Sequence, residues 1–300
     1  MTKRVYAAVL ENSGYIVGDA NAKSGMYVRS STAEWHRLGW PNIRAFGLHV
    51  TEPRTLMAAG NGLLRSNDGG ESWRVTTDWR VTEVLDVDVS PDNRDTVLIA
   101  TAHGIHISHD DCSSWMRIAM PEDQRFVQAV RYDITNSNVI VAAAEAGILR
   151  SDDGGASWRC VDARAGAIRS VRQCSDRTGV WWAVSATGEI LRSANDGVKW
   201  TPAGPDHSMP LYSIHVDSDL VVASGYLCGA IISTDRGESW KIVQFPDDRM
   251  SGHAIVTSPD SPDDVLIGTT GNGLYSLNLE TEEWRLVGLP DATIRGLYVA

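Results

Sequence analysis

Short apolar runs alternate with glycine- and aspartate-containing turns along the whole chain. The segment 55–75, TLMAAGNGLLRSNDGGESWRV, contains an apolar run, a glycine, a second apolar run, a polar eight-residue stretch and a third run. Segments 96–118 and 139–160 repeat this order. Such runs, bounded by turn residues, are typical of β-strands joined in antiparallel hairpins. The pattern therefore predicts three consecutive strands in each segment.

A further apolar run precedes each segment and predicts a fourth strand. These runs lie at 43–50, 83–89, 127–134, 168–173, 211–217, 252–258 and 294–300. No helical stretch interrupts them, so the chain is predicted to be all-β.

The polar eight-residue stretch recurs at a fixed period. It reads SNDGGESW at 66–73, SDDGGASW at 151–158 and STDRGESW at 233–240, and looser copies end at other tryptophans. The seven tryptophans of the series, spaced by 38 to 44 residues, are Trp35, Trp73, Trp115, Trp158, Trp200, Trp240 and Trp284. A period of this length is typical of repeat architectures. Seven units of four strands predict one seven-bladed β-propeller domain over residues 1–300.

The two ends of the chain predict how the ring closes. The last run, 294–300, has the inner-strand pattern, whereas RVYAAVL at 4–10 matches the second strand of other units. We expect the C-terminal strand to join the N-terminal blade, with 11–24 as a hairpin insertion, because this pairing removes open sheet edges. The alternative makes 4–10 an inner strand and 294–300 an extra one.

The repeated stretch resembles the Asp-box, S-x-D-x-G-x-[ST]-W, of the BNR-repeat propellers. That family includes sialidases, sortilin receptors and a photosystem II assembly factor. The resemblance implies a propeller in which Asp68, Asp153 and Asp235 fasten turns remote from any ligand site. A sialidase would also carry an F/Y-R-I-P stretch, and no R-I-P occurs here. Glycosidases need two carboxylates about 5–9 Å apart; no pair stands out, so no catalytic residue is predicted.

Charge and cysteine content narrow the class of partner. The formal net charge of −11 disfavours nucleic acid, because phosphate binding needs a basic surface. The four cysteines show no C-x-x-C spacing, which predicts reduced thiols and a cytoplasmic protein. No apolar run reaches the roughly 18 residues of a membrane span. We therefore expect neither nucleic acid nor membrane as a partner.

One histidine-rich stretch, HGIHISHDD at 103–111, contains residue types that bind metals. Side chains alternate along a strand, so His106 and His109 would point to opposite faces. The acidic run at 86–93 lacks the spacing of a calcium loop. The sequence therefore predicts no metal site and no cofactor.

The starts of the inner strands are the candidate binding site. Aligning the seven runs places one residue of each in a common column: Arg44, Glu83, Gln128, Arg169, Tyr212, Gly252 and Arg295. Three arginines in one ring could bind a carboxylate, sulfate or phosphate by bidentate hydrogen bonds. Alternatively, the I-R pair is repeat consensus, with arginine reaching an adjacent loop.

The loops before two inner strands add Trp40, Trp79 and Arg80, residue types enriched at protein interfaces. Alternatively, both tryptophans cover the rim of the core. The combined pattern favours a non-enzymatic binding or scaffold propeller that engages a protein partner or a small anionic ligand, including a glycan. The resemblance of the repeat to that of the photosystem II assembly factor implies such a scaffold role. The alternatives are a sialidase-like glycoside hydrolase or lyase, and a lectin-like sugar binder using Trp40 and Trp79.

Overall fold

The computed structural model describes residues 3–10, 24–29, 34–121, 124–164 and 166–300. Within these residues, twenty-eight strands form seven four-stranded antiparallel sheets arranged in a ring. The predicted seven-bladed β-propeller is confirmed. The hairpin insertion predicted for 11–24 falls outside the described residues except at its last position.

The blades follow one another in chain order, each running from the central axis outward. The first blade contains β28 (Thr293–Val299), β1 (Val5–Leu10), β2 (Gly25–Arg29) and β3 (Trp35–Leu38). The second contains β4 (Ala45–Thr51), β5 (Arg54–Ala59), β6 (Gly62–Ser66) and β7 (Arg74–Val75). The third contains β8 (Val84–Val89), β9 (Val97–Thr101), β10 (Gly104–Ser108) and β11 (Met116–Arg117).

The remaining four blades have the same order. The fourth contains β12 (Val127–Tyr132), β13 (Ile140–Ala144), β14 (Gly147–Ser151) and β15 (Arg159–Asp162). The fifth contains β16 (Ile168–Gln173), β17 (Trp181–Ser185), β18 (Ile190–Ser193) and β19 (Thr201–Pro202). The sixth contains β20 (Leu211–Asp217), β21 (Leu220–Gly225), β22 (Ala230–Ser233) and β23 (Lys241–Val243). The seventh contains β24 (Gly252–Thr257), β25 (Asp264–Thr269), β26 (Leu274–Asn278) and β27 (Trp284–Gly288).

Closure uses both ends of the chain. Strand β28 pairs antiparallel with β1, with Ala7 opposite Leu297. The Arg4 amide donates to the Ala300 carbonyl at 2.7 Å, and the Ala300 amide returns a bond to Arg4 at 3.1 Å. The C-terminal strand is thus the inner strand of the first blade, as predicted, and the alternative assignment is wrong.

The core lies between blades. Each sheet packs both faces against its neighbours, so successive residues of a middle strand can both be buried. Trp181 and Trp182 point to opposite faces of β17, yet they are only 0% and 2% exposed. Strands β9, β10, β12 and β13 form one such core between two blades, which includes Leu98, Ile105 and Val130. The apolar runs of the sequence thus supply buried side chains to the cores on both faces of a sheet.

The repeated eight-residue stretch forms the turn between the third and fourth strands of a blade. In the second blade the Ser66 hydroxyl donates to Asp68 Oδ1 at 2.7 Å and accepts from the Gly70 amide at 2.8 Å. Asp68 Oδ1 also accepts from the Ser72 amide at 2.9 Å. Gly70 adopts a φ of 98°, a left-handed conformation that favours glycine. Trp73 Nε1 closes the turn by donating to the Gly70 carbonyl at 2.9 Å.

The same bonds recur at the turns of Asp153 and Asp235. Hydrogen bonds from Ser157 and Ser239 lower the pKa of these carboxyl groups to about 2. Carboxylates held this way act as turn fasteners rather than as proton donors near neutral pH. No described segment forms a helix that could cross a membrane.

Candidate functional site

A β-bulge at the start of every inner strand builds the wall of the central channel. Each strand pairing skips one residue near that start, and a bulge of this kind re-aims the extra side chain. The seven skipped residues line the channel and form the strand-start ring: Phe46, Leu85, Gln128, Arg169, Tyr212, His253 and Arg295.

This ring corrects the column predicted from the sequence. Gln128, Arg169, Tyr212 and Arg295 occupy the ring as aligned, but the other three positions were misaligned. Arg44 and Glu83 each lie two residues before the ring residue of their blade, and Gly252 lies one residue before. The I-R pair at 43–44 imitates the one at 168–169, although β4 begins only at Ala45.

A different sequence signal would have found the ring. In every inner strand the bulged residue is followed by Gly, Asp, Ala or Ser and then by an apolar residue. Gly47, Ser170 and Gly296 are three of these second positions. Alignment on that pair places Phe46, Leu85 and His253 in the ring, because the bulge fixes the register more reliably than arginine does.

The strand-start ring has a polar half and an apolar half. Arg169, Tyr212, His253 and Arg295 come from four consecutive blades, whereas Phe46 and Leu85 stand in the two blades that follow (Gln128 completes the circle). None of the seven ring residues is acidic, and two carry a positive charge. Although the chain has a net charge of −11, the strand-start ring is therefore cationic on one side and apolar on the other.

Three side chains of the polar half contact one another in sequence. The rings of Tyr212 and His253 lie parallel, with centroids 4.5 Å apart and 7° between their planes. Arg295 Nη1 lies 3.0 Å from the nitrogens of His253. Burial, followed by the charge of Arg295, lowers the pKa of His253 to about 3, so the imidazole is neutral. Burial also lowers the pKa of Arg295, and nearby Arg44 lowers it further.

Arg169 differs from Arg295 in having an unpaired guanidinium donor. Its Nε atom is buried and has no hydrogen-bond partner among the described residues. A buried donor that is left unpaired is costly, and a bound acceptor would remove that cost. Arg169 therefore keeps one guanidinium donor that no described residue pairs.

Above the ring, the predicted loop residues form an exposed rim. Trp79 is 80% exposed and Trp40 47% exposed, so Trp79 in particular leaves little of its surface against the core. The Arg80 guanidinium lies 5.1 Å from the centre of the Trp79 ring. Arg44 pairs with Glu83 at 3.7 Å between Nη1 and Oε1, which neutralises both side chains at the rim.

Two further aromatics on this side are exposed. Phe126 precedes β12, and Tyr226 lies in the turn between β21 and β22. Isolated aromatics in variable loops carry no sequence pattern that distinguishes an exposed position from a buried one.

The central channel contains a cavity of about 470 Å³, which the strand-start ring lines at one end. A second ring lines it three residues further along each inner strand, and we call it the strand-end ring: His49, Asp88, Arg131, Arg172, His215, Val256 and Tyr298. Within the described part of the chain, no group of three His, Cys, Asp or Glu side chains is arranged to hold a metal ion.

Comparison with known proteins finds similarity only at the level of structure. No family model and no curated protein matches the sequence. The GH74 enzyme of Niastella koreensis aligns with a TM-score of 0.70 at 14% identity, over 97% of this chain and 53% of that one. YCF48 bound to a D1 peptide aligns with a TM-score of 0.65 at 15% identity, over 86% and 93%. These similarities show the fold alone.

A third match is the GH74 xyloglucanase of Xanthomonas campestris, with a TM-score of 0.66 and 15% identity over 93% of this chain. This chain spans only 39% to 55% of the GH74 structures it matches. It spans nearly the whole of YCF48. The propeller of this protein is thus comparable in extent to a whole YCF48 chain and to about half of a GH74 enzyme.

Proposed function

We propose that this protein is a non-enzymatic binding propeller whose strand-start ring holds an acidic group of a peptide segment in a protein partner. The observation that carries this proposal is the uncompensated charge of the ring. Arg169 and Arg295 face the channel together, and no carboxylate of the ring neutralises them. A carboxylate would accept charge-assisted hydrogen bonds from these guanidinium groups.

The apolar half of the ring and the aromatic rim support a peptide as the source of that group. Phe46 and Leu85 would contact an apolar side chain next to the bound carboxylate. Trp79 and Arg80 belong to residue types that dominate binding energy at protein interfaces. The YCF48 structure with a D1 peptide shows that a propeller of similar size binds a peptide.

The proposed family and the enzymatic alternative rest on different features. The turn bonds of Asp68, Asp153 and Asp235 fit the Asp-box pattern and support a BNR-repeat propeller. Two carboxylates, one in the channel and one at the rim, are ion-paired and therefore support a glycosidase less well. Asp86 is ion-paired with Arg131, and Glu83 is paired with Arg44. A lectin-like role for Trp40 and Trp79 remains a prediction that sugar titration would test.

The proposal is tested with eight-residue, fluorescein-labelled peptides that end in an apolar residue and a free carboxylate. Fluorescence polarisation should detect binding, and amidation of the C-terminus should weaken it. The double variant R169Q/R295Q should weaken binding at least about tenfold, equivalent to about 1.4 kcal/mol. W79A should weaken it without changing the melting temperature, because the side chain is 80% exposed.

The matched control is R74Q/R285Q, which removes two exposed arginines from outermost strands and changes the net charge equally. It should bind peptides as the wild type does. Peptide binding that survives R169Q/R295Q, or binding confined to saccharides, contradicts the proposal. Hydrolysis of xyloglucan by the wild type would favour the glycosidase instead.

A further inference from the structure

The strand-end ring differs from the strand-start ring in its charges. It contains two arginines, Arg131 and Arg172, and one acidic residue, Asp88, beside two histidines. Burial, followed by nearby arginines, lowers the pKa of His49 to about 4. Burial and the charge of Arg172 lower the pKa of His215 to about 4 as well. Both imidazoles are therefore neutral near pH 7.

The charge of Arg131 is paired within the structure. It forms an ion pair with Asp86, in which Nη2 donates to Oδ1 at 3.2 Å. The same carboxylate accepts from the Val130 amide at 3.2 Å. Burial alone would lower the pKa of Arg131, but Asp86 and Asp88 raise it overall. This pair joins two neighbouring inner strands, β8 and β12.

Arg172 has no such partner. Its Nη1 donates to the Val171 carbonyl at 3.0 Å, and no carboxylate in the described part of the chain forms an ion pair with it. Burial, followed by the charge of Arg131, lowers its pKa to about 10, so it stays protonated at neutral pH. A guanidinium has five N–H donors, and a buried charge is costly unless it is paired.

We propose that the strand-end half of the channel is a second binding site, in which Arg172 holds a small oxyanion such as sulfate, phosphate or a carboxylate. The planar guanidinium matches two oxygens of such a group. Asp86 neutralises Arg131, so the positive charge comes from Arg172 itself. Neutral His215 accepts the Thr257 amide at Nε2, so its Nδ1 carries the proton and adds one ring donor. The cavity of about 470 Å³ leaves ample room.

This site is separate from the proposed peptide site. Arg172 follows Arg169 by three positions on β16, which corresponds to roughly 10 Å along a strand. The two sites can thus be removed one at a time. Loss of oxyanion binding would leave the strand-start proposal standing, and the reverse also holds.

The experiment is isothermal titration calorimetry of the full chain with sodium sulfate at pH 7.5 in a low-salt buffer that contains no phosphate. The wild type should bind at least one sulfate per chain, with one of the sites dependent on Arg172. R172Q should lose at least about 90% of the affinity, since a charge-assisted bidentate contact is removed. R169Q/R295Q and the surface variant R285Q should keep it within about twofold.

The folding of R172Q provides the second readout. Because the substitution removes an unpaired buried charge, its melting temperature without sulfate should equal or exceed that of the wild type. Added sulfate should then raise the melting temperature of the wild type but not that of R172Q. Equal sulfate affinity in wild type and R172Q, or no sulfate binding by the wild type at millimolar concentration, would overturn the proposal.

The pH dependence gives an independent check. Burial raises the pKa of Asp88 to about 6, so this carboxylate is charged at pH 7.5 and mostly protonated at pH 5.5. The charged and titratable groups that face it are Asp86 beside it on β8, Arg131 and Tyr132 on β12, His49 on β4, Arg172 on β16 and Tyr298 on β28.

Sulfate keeps its charge across this range, so a change in affinity reports on the protein. Protonation of Asp88 removes a negative charge near Arg172, and sulfate should bind at least about threefold more tightly at pH 5.5 than at pH 7.5. D88N should bind equally at both values. A wild-type affinity that falls on acidification would contradict this arrangement.

Discussion

The outer turns of the propeller and its central channel use the sequence repeat in opposite ways. At the turn of the third and fourth strands, Asp68, Asp153 and Asp235 make the same hydrogen bonds in three blades. At the bulge of the inner strands, seven equivalent backbone positions carry seven side chains of six residue types. The same strand geometry supports both regions, yet only one of them keeps its chemistry constant.

The difference separates positions that every blade needs from positions that can vary between blades. A residue that is repeated in several blades serves a need that all blades share, such as closing a turn. A residue that differs from blade to blade at an equivalent position is free of that need. The cationic half of the strand-start ring, with Arg169 and Arg295 on either side of Tyr212 and His253, belongs to this second kind.

The strongest test of the shared architecture is removal of the closing strand. Deletion of residues 294–300 removes most of β28, whose Ile294 is fully buried and whose backbone pairs with β1. The ring then opens and leaves one edge of β1 unpaired. We expect an aggregated or molten protein without a cooperative thermal transition, measured by size-exclusion chromatography and circular dichroism.

A circular permutant provides the control for that deletion. Joining Ala300 to Arg4 by a short linker and opening the chain at 205–208 keeps every strand, because that segment lies between β19 and β20. The permutant should melt cooperatively. A truncated protein with an unchanged melting temperature would contradict the role of β28 in closure.

The turn tryptophans test whether repeated residues contribute equally. Trp200 is 1% exposed and donates from Nε1 to the Gly197 carbonyl at 2.9 Å, whereas Trp115 is half-buried. W200A should cost about 3–5 kcal/mol of unfolding free energy, and W115A about 1–2 kcal/mol. Urea unfolding measures both. Equal losses would mean that the repeated position, rather than its burial, sets the contribution.

Sequence alone could predict the blades and their outer turns, but not which residues line the central channel. Seven tryptophans at a regular period, each after a polar turn, determine the number of blades and the strand order. The axis depends on a one-residue bulge, and a slip of one or two positions exchanges Phe46 for Arg44 or His253 for Gly252. Pairings such as Asp86 with Arg131 join residues 45 positions apart, and no local pattern reveals them.

The pairing of Arg131 also explains why arginines could not be ranked from the sequence. Arg131 and Arg172 occupy equivalent positions of neighbouring blades, but an aspartate of an adjacent strand neutralises only Arg131. Which arginine remains available follows from the packing of three blades, so it is a property of the fold and not of the repeat.

The smallest expected effect concerns the acid stability of one turn. Asp153 accepts hydrogen bonds from the Ser157 hydroxyl at 2.6 Å and the Ser157 amide at 2.8 Å, which lower its pKa to about 2. A depressed folded-state pKa contributes stability that is present above about pH 4 and is lost as the pH falls toward 2. D153N should therefore be less stable than the wild type at pH 5 and nearly equal to it at pH 2.

The fifth blade shows that an amide can serve at this position. Asn195 accepts from the Lys199 amide at 2.9 Å in the same geometry, without a serine hydroxyl at position 199. D153N should thus keep the turn and lose only the pH-dependent part. Urea unfolding at pH 5, 3 and 2, with D206N as an exposed control, measures the difference. If the difference in unfolding free energy between wild type and D153N stayed constant over this range, the charge of Asp153 would not contribute to stability. The outer turns would then be stabilised by hydrogen-bond geometry alone.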